Sequence, residues 1–185
     1  MHRTVVLFLC LVSWALRGVA QSDAYRQYIE TYKVMAIDQM QRYRIPASIT
    51  LAQGLLESNA GRSTLAVMAN NHFGIKTGGL WSGPYILRSD DAPNEQFRKY
   101  NSAADSYEDH SRFLSTRGRY SSLFSLQPTD YSGWASGLKA AGYATNPRYA
   151  EMLISVIERY DLSKYDRMRL VYQYADQPQD VGGIE

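Results

Sequence analysis

The richest concentration of potential chemistry in this 185-residue chain is the run Leu51 to Gly61, LAQGLLESNAG, in which a single acidic side chain, Glu57, closes a stretch that is otherwise apolar or small. At helical spacing Thr50, Gln53, Gly54 and Glu57 share one face, so an amide, a bare stretch of backbone and a carboxyl line up together. Glycine inside a helix costs about 1 kcal/mol relative to alanine. Gly54 therefore marks a turn that something approaches closely, either a substrate or a neighbouring helix. Beside Leu55 and Leu56, a carboxyl is in the kind of setting that favours its protonated form and suits it to donate a proton to a leaving oxygen. Without further company, a glutamate at a helix end is an ordinary solvated charge. The weight of the reading lies in what surrounds it.

A short loop further on, Asn70 to Lys76 reads NNHFGIK and offers two amides, an aromatic anchor in Phe73 and a glycine that permits a tight backbone. His72 has no cysteine or acid at metal-ligand spacing, so no metal site is expected. The stretch RSDDAPNEQF supplies three further carboxyls, Asp90, Asp91 and Glu95. A second acid across a cleft, about 5 Å away as a nucleophile or ~6.5–9.5 Å away when it activates water, is the usual equipment for cleaving a glycosidic bond. The same Asp-Asp-Ala-Pro-Asn segment is also good turn chemistry. Trp81, Tyr143 and Tyr149 are flat amphipathic rings suited to stacking on sugars or to packing.

These residues need a scaffold. Tyr25, Tyr28, Ile29, Tyr32, Met35, Ala36 and Met40 recur at three- and four-residue intervals and predict an amphipathic helix over Ala24 to Arg42. A second helix starts near Pro46 and buries Ile49, Ala52, Leu55 and Leu56, with Gly61 as its stop signal, and Ser63 caps a short third helix to about Met68. Between Asn70 and Tyr100 the helical period is lost among glycines and prolines, which predicts a small β-lobe with short strands at Tyr85 to Arg88 and Gln96 to Lys99. Helical spacing returns at Ala103 to Ser115, Tyr131 to Ala141 and Arg148 to Tyr160. The expected fold class is α+β and mainly α.

Arg3, the apolar run Val5 to Leu16 and the small residues Gly18 and Ala20 read as a signal peptide over residues 1–20, with an uncleaved anchor as the alternative. The expected product is exported, to the periplasm, cell envelope or medium, with no stable membrane insertion after cleavage. Its sole cysteine, Cys10, leaves with the leader, so the mature chain has no disulfide. Arg3 and Arg17 leave too, which cancels the formal net charge of +2 and removes any electrostatic case for nucleic acid. Residues 21–165 are expected to form one domain, and 166–185 a polar tail.

Taken in order, LAQGLLESNAG, NNHFGIK, Trp81 with Gly83, FRKY at Phe97 to Tyr100 and AGYATNPRYA at Ala141 to Ala150 resemble the family 73 glycoside hydrolases, the glucosaminidase domain of bacterial autolysins and of the flagellar rod-cap muralytic protein. The resemblance implies a lysozyme-like fold with a cleft between helices and β-lobe. It also implies hydrolysis of the β-1,4 bond between N-acetylglucosamine and N-acetylmuramic acid in peptidoglycan glycan strands, by a monomer without cofactor. Glu57 falls on the family's general acid, and Tyr143 on a tyrosine lining the cleft. Asp91 is the favoured β-lobe acid, then Asp90, then Glu95, and the Thr-x-Glu pattern of many relatives is missing. Assistance by the substrate's own acetamido group is the alternative to a protein nucleophile. Gln53, Asn71, Phe73, Trp81 and Tyr149 complete the expected substrate contacts. The competing functions are a wall-binding module that has lost catalysis and a lytic transglycosylase of the same superfold. Intact Glu57 speaks against the first, and the YATNP segment against the second.

Overall fold

A long first helix, α1 (His2–Tyr43), lies across the second, α2 (Ala47–Glu57), and also packs on α4 (Ala103–Thr116). The computed structural model describes residues 2–78, 81–89 and 93–171, and for residues 2–20 the helical backbone alone. Helix α1 runs on through the predicted leader instead of starting at Ala24, because the leader contains no proline to break the turn. It buries Tyr25, Tyr28, Ile29, Ala36 and Met40 of the stripe that the sequence spacing predicts, leaves Tyr32 and Met35 half-buried, and adds Ile37. Among the described residues no helix is long and apolar enough to cross a membrane.

Helix α2 is the axis of the molecule. Every residue from Ala47 to Leu55 is buried, by α1 on one side and by α5 (Tyr131–Ala140) and α6 (Tyr149–Arg159) on others. Pro46 precedes its first turn and offers no side-chain cap. The cap comes from far along the chain. The Ser48 amide donates to Asp166 Oδ1 at 2.8 Å, and the Ser48 hydroxyl donates to Asp166 Oδ2 at 2.6 Å. The described chain thus stays packed on the helical body beyond residue 165. Leu162–Arg167 forms a 3-10 turn docked on α2, and Leu170 is tied to α1 by its amide donating to Gln41 Oε1 at 2.7 Å.

The end of α2 also differs from expectation. The helix stops at Glu57, four residues before Gly61, because Asn59, Ala60 and Gly61 all have positive φ, at 50°, 55° and 75°. Ser58 holds this turn by accepting the Gly61 amide at 2.7 Å while its hydroxyl donates to the Gly54 carbonyl. Glu57 is thereby the last helical residue, with its side chain facing out of the core.

Ser63 caps α3 (Thr64–Ala69) through the Ala66 amide, as its position suggested. The β-lobe is a two-stranded antiparallel hairpin, β1 (Tyr85–Arg88) and β2 (Glu95–Arg98), in the register Tyr85 with Arg98 and Arg88 with Glu95. Phe97 of β2 is buried, and a single bridge from Lys76 to Phe97 stitches the hairpin to the NNHFGIK loop. Helix α4 opens with a reciprocal capping box between Ser102 and Asp105. A 3-10 segment, Gly118–Ser125, follows it and leads to α5, whose start is capped by Asp130. Trp134, Leu138, Leu153 and Ile157 of α5 and α6 complete the core around Leu51 and Leu55.

Candidate active site

Three elements converge on Glu57. Its Oε1 accepts a hydrogen bond from the Tyr149 hydroxyl at 2.9 Å, and Tyr149 opens α6. The Tyr149 oxygen in turn accepts from Gln53 Nε2 at 3.1 Å, one turn earlier on α2 than Glu57. Gln53 Oε1 lies 3.1 Å from His110 Nε2 on α4 and accepts its proton when the neutral imidazole carries it there. The result is a directed relay of donors, His110 to Gln53 to Tyr149 to Glu57. Burial keeps His110 neutral by pushing its pKa down to about 3, and its Nδ1 is a buried acceptor with no partner among the described residues. Burial, reinforced by the negative charge of Glu57, raises Tyr143 and Tyr149 well above the usual phenol value. Both hydroxyls therefore keep their protons.

Glu57 opens into a cleft of about 570 Å³. One flank is the loop Phe73 to Gly78 with Arg88 of the hairpin, and the other is formed by Phe113, Arg117, Arg119 and the segment Gly142 to Thr145. Tyr143 is a half-buried wall of this cleft. Its ring stacks on Tyr149 with centroids 5.7 Å apart, and its hydroxyl donates to the Phe73 carbonyl at 3.3 Å. The Phe73 ring lies flat on His110 at 3.9 Å, so one aromatic stack joins the loop to the relay. Gly74 comes so near Glu57 that a β-carbon there would sit 3.9 Å from Oε2, in the left-handed conformation (φ 62°) that side chains avoid.

Several residues expected to meet substrate turn inward instead. Gln53 is fully buried with both ends of its amide committed, so it orients Tyr149 and reaches no solvent. Asn71, 1% exposed, clamps its loop by donating to the carbonyls of Ile75 and Arg98 and accepting from the Ile75 amide. Phe73 contributes only the edge of a buried ring, and Tyr149 is likewise buried behind Glu57. Trp81 lies apart from the Glu57 cleft, lining a separate depression of about 290 Å³ with Tyr100 and Asp109. There its ring carries the Arg98 guanidinium at 4.7 Å, and its Nε1 donates to the Pro84 carbonyl. Glu95 is bonded to Lys76 at 2.8 Å and is not among the residues that line the cleft. Asp90 and Asp91 lie outside the described residues.

With this geometry in view, comparison with known proteins is decisive. Residues 33–162 match the glucosaminidase family model, described as mannosyl-glycoprotein endo-beta-N-acetylglucosaminidase. The chain belongs to the glucosaminidase family, family 73 of the glycoside hydrolases. It is 33% identical over 160 residues to the exo-glucosaminidase LytG of Bacillus subtilis, a match covering 79% of this chain and 55% of that protein. It is 28% identical over 153 residues to the peptidoglycan hydrolase FlgJ of Vibrio parahaemolyticus, covering 77% and 49%. The chain thus spans about half the length of these curated relatives. Among solved structures, the catalytic domain of the autolysin Auto from Listeria monocytogenes superposes with a TM-score of 0.65 at 30% identity, covering 77% of this chain and 87% of that one. The glycoside hydrolase domain of Salmonella typhimurium FlgJ superposes with a TM-score of 0.62 at 26% identity, covering 76% and 90%.

This glucosaminidase domain therefore has the lysozyme-like fold, with a mainly helical body and a small antiparallel lobe. Sequence reasoning missed His110 of the glucosaminidase relay. Tyr107, His110, Ser111 and Leu114 share the buried face of α4, so the period placed His110 inside. Only the tertiary hydrogen bond from α4 to Gln53 of α2 reveals its partner. Arg117 and Arg119 were also missed, since they fall in a break between helices where periodicity is silent.

Proposed function

We propose that this glucosaminidase hydrolyses the β-1,4 bond between N-acetylglucosamine and N-acetylmuramic acid in peptidoglycan, with Glu57 as its general acid. The observation that carries the reading is the Glu57 carboxyl held by Tyr149 at the edge of the 570 Å³ cleft. Through Oε1, Tyr149 orients the carboxyl beside Gly74, and the proton carried by that carboxyl passes to the leaving sugar. Tyr143 holds the cleft wall beside it. The second carboxyl is proposed to be Asp91 of the hairpin connection, ahead of Asp90 and Glu95, or else the substrate's acetamido group serves in its place. A leader over residues 1–20 directs export to the periplasm, cell envelope or medium.

Purified peptidoglycan digested with the protein is expected to give fragments with reducing N-acetylglucosamine ends, identified by mass spectrometry after borohydride reduction. The Glu57→Gln variant, which keeps the side-chain shape but not the acidic proton, is expected to lose at least about 100-fold in rate with an unchanged melting temperature. Reducing N-acetylmuramic acid ends would move the assignment to the alternate bond. Ends that resist reduction would indicate a transglycosylase, and a variant retaining more than a few per cent of wild-type activity would remove Glu57 from the acid role.

A further inference from the structure

The helical flank of the cleft carries two guanidinium groups for which nothing so far accounts. Arg117 and Arg119 both line it, on either side of Gly118 at the junction of α4 with the following 3-10 segment. Each is held against an aromatic face. Arg117 Cζ lies 4.0 Å from the Phe113 ring centroid, and Arg119 Cζ lies 4.9 Å from that of Tyr120. Among the described residues neither has a carboxylate within ion-pair distance, whereas Arg98, Arg112 and Arg148 all do. Stacking fixes the plane of a guanidinium and leaves its edge of N–H donors open, the arrangement that grips a carboxylate with two parallel bonds. The two cations also repel. The charge of Arg119, after the loss of solvent, is the largest influence depressing the Arg117 pKa. A pair of like charges on a cleft wall is an arrangement that an incoming anion relieves.

We propose that Arg117 and Arg119 form a carboxylate-reading subsite of the cleft. Resting on the peptidoglycan reading above, the ligand is a carboxylate of the stem peptide attached to the muramyl sugar. Arg88 on the opposite flank adds a third guanidinium to the cleft lining, which also raises the local concentration of an anionic glycan. The subsite gives the enzyme a preference for charged over amidated wall.

The test uses soluble peptidoglycan fragments in three forms: unmodified, with carboxyls amidated by carbodiimide and ammonia, and stripped of peptides by an amidase to leave lactyl carboxylates. Wild-type protein should cleave unmodified fragments with a kcat/KM at least about tenfold above that for amidated ones. The Arg117→Gln/Arg119→Gln double variant should lose that preference through KM, with kcat little changed. Both proteins should be alike on amidated fragments. If the wild-type advantage over the variant persists on stripped glycan, the subsite also grips the lactyl carboxylate exposed there; if it vanishes there, the stem-peptide carboxylate is its sole ligand among the three forms. Equal wild-type rates on unmodified and amidated fragments overturn the proposal without reference to any variant, as does a double variant that retains the preference. Should the double variant not fold, Arg119→Gln alone is expected to halve the preference or more, and an unaltered preference in it also overturns the proposal. Wild-type protein that cleaves none of the three overturns the hydrolase reading itself.

Discussion

At the scale of single residues, the site is organised around the direction of its hydrogen bonds. Gln53 serves as an adaptor. Its carbonyl end meets His110, so its amide end must face Tyr149, and the Tyr149 proton is left to Glu57. Replacing Tyr149 by Phe removes one acceptor and one donor at the buried end of this relay. Leaving Gln53 Nε2 unpaired should cost about 1–3 kcal/mol of stability, read as a lowered denaturation midpoint. Hydrolysis should fall by roughly tenfold or more as Glu57 loses its orientation, one decade per about 1.4 kcal/mol. A Tyr149→Phe variant with wild-type turnover would show that the hydroxyl only fills space. For the second acid, Asp91→Asn should reduce turnover more than Asp90→Asn or Glu95→Gln, measured on the same wall substrate. Near-normal turnover in all three would favour assistance by the substrate acetamido group.

At the scale of elements, α2 presents Glu57 from a helix buried from Ala47 to Leu55, and the device that anchors its other end is the tertiary cap. The Asp166 carboxylate sits at the start of a buried helix, where the unpaired amides and the positive end of the dipole favour it. Burial works the other way and dominates, pushing its pKa from 3.8 up to about 6 against the bonds from Ser48. Because the folded value is the higher one, the folded state binds the extra proton. The associated stability is fully present below about pH 4 and is lost as the pH rises through about 6. Unfolding free energies of the wild type from urea titrations should therefore decline between those values, by up to about 3 kcal/mol, a slope that Asp166→Asn should flatten. A wild-type curve that is level across this window would show that water reaches the carboxylate. Gly54 is a second fixed point of the same helix, since a β-carbon there would lie 2.5 Å from the Tyr28 hydroxyl. The close approach suggested by that glycine is made by helix α1, not by a substrate.

At the scale of the whole molecule, the cleft is the gap between a rigid helical body and a small hairpin lobe attached through the NNHFGIK loop. Asn71, with three hydrogen bonds to backbone, and the Tyr143 bond to Phe73 fix that loop to both sides. A cleft with two flanks accommodates a strand laid along it, which fits internal cleavage, whereas the Bacillus relative carries an exo-acting name. Early digestion products separated by size should then be long glycan fragments that shorten with time. Immediate release of mono- or disaccharides alone would establish chain-end cleavage.

Much of this protein was legible in its sequence because it rests on local rules. The stripe of α1 from Tyr25, the Ser63 cap, the loss of period across the β-lobe and the acid closing α2 all follow from spacing and side-chain type over a few residues. The ordered motifs fixed the family for the same reason. What tertiary structure alone decided are relations between side chains far apart in the chain, which no local period encodes. Asp166 caps a helix 118 residues before it, His110 orients Gln53 across 57 residues, and Tyr149 reaches Glu57 across 92. The inward turn of Asn71 and Gln53 belongs here too. A polar residue in a functional motif reads as a substrate contact until packing shows that its hydrogen bonds are spent on the protein, and burying it unpaired would cost several kcal/mol.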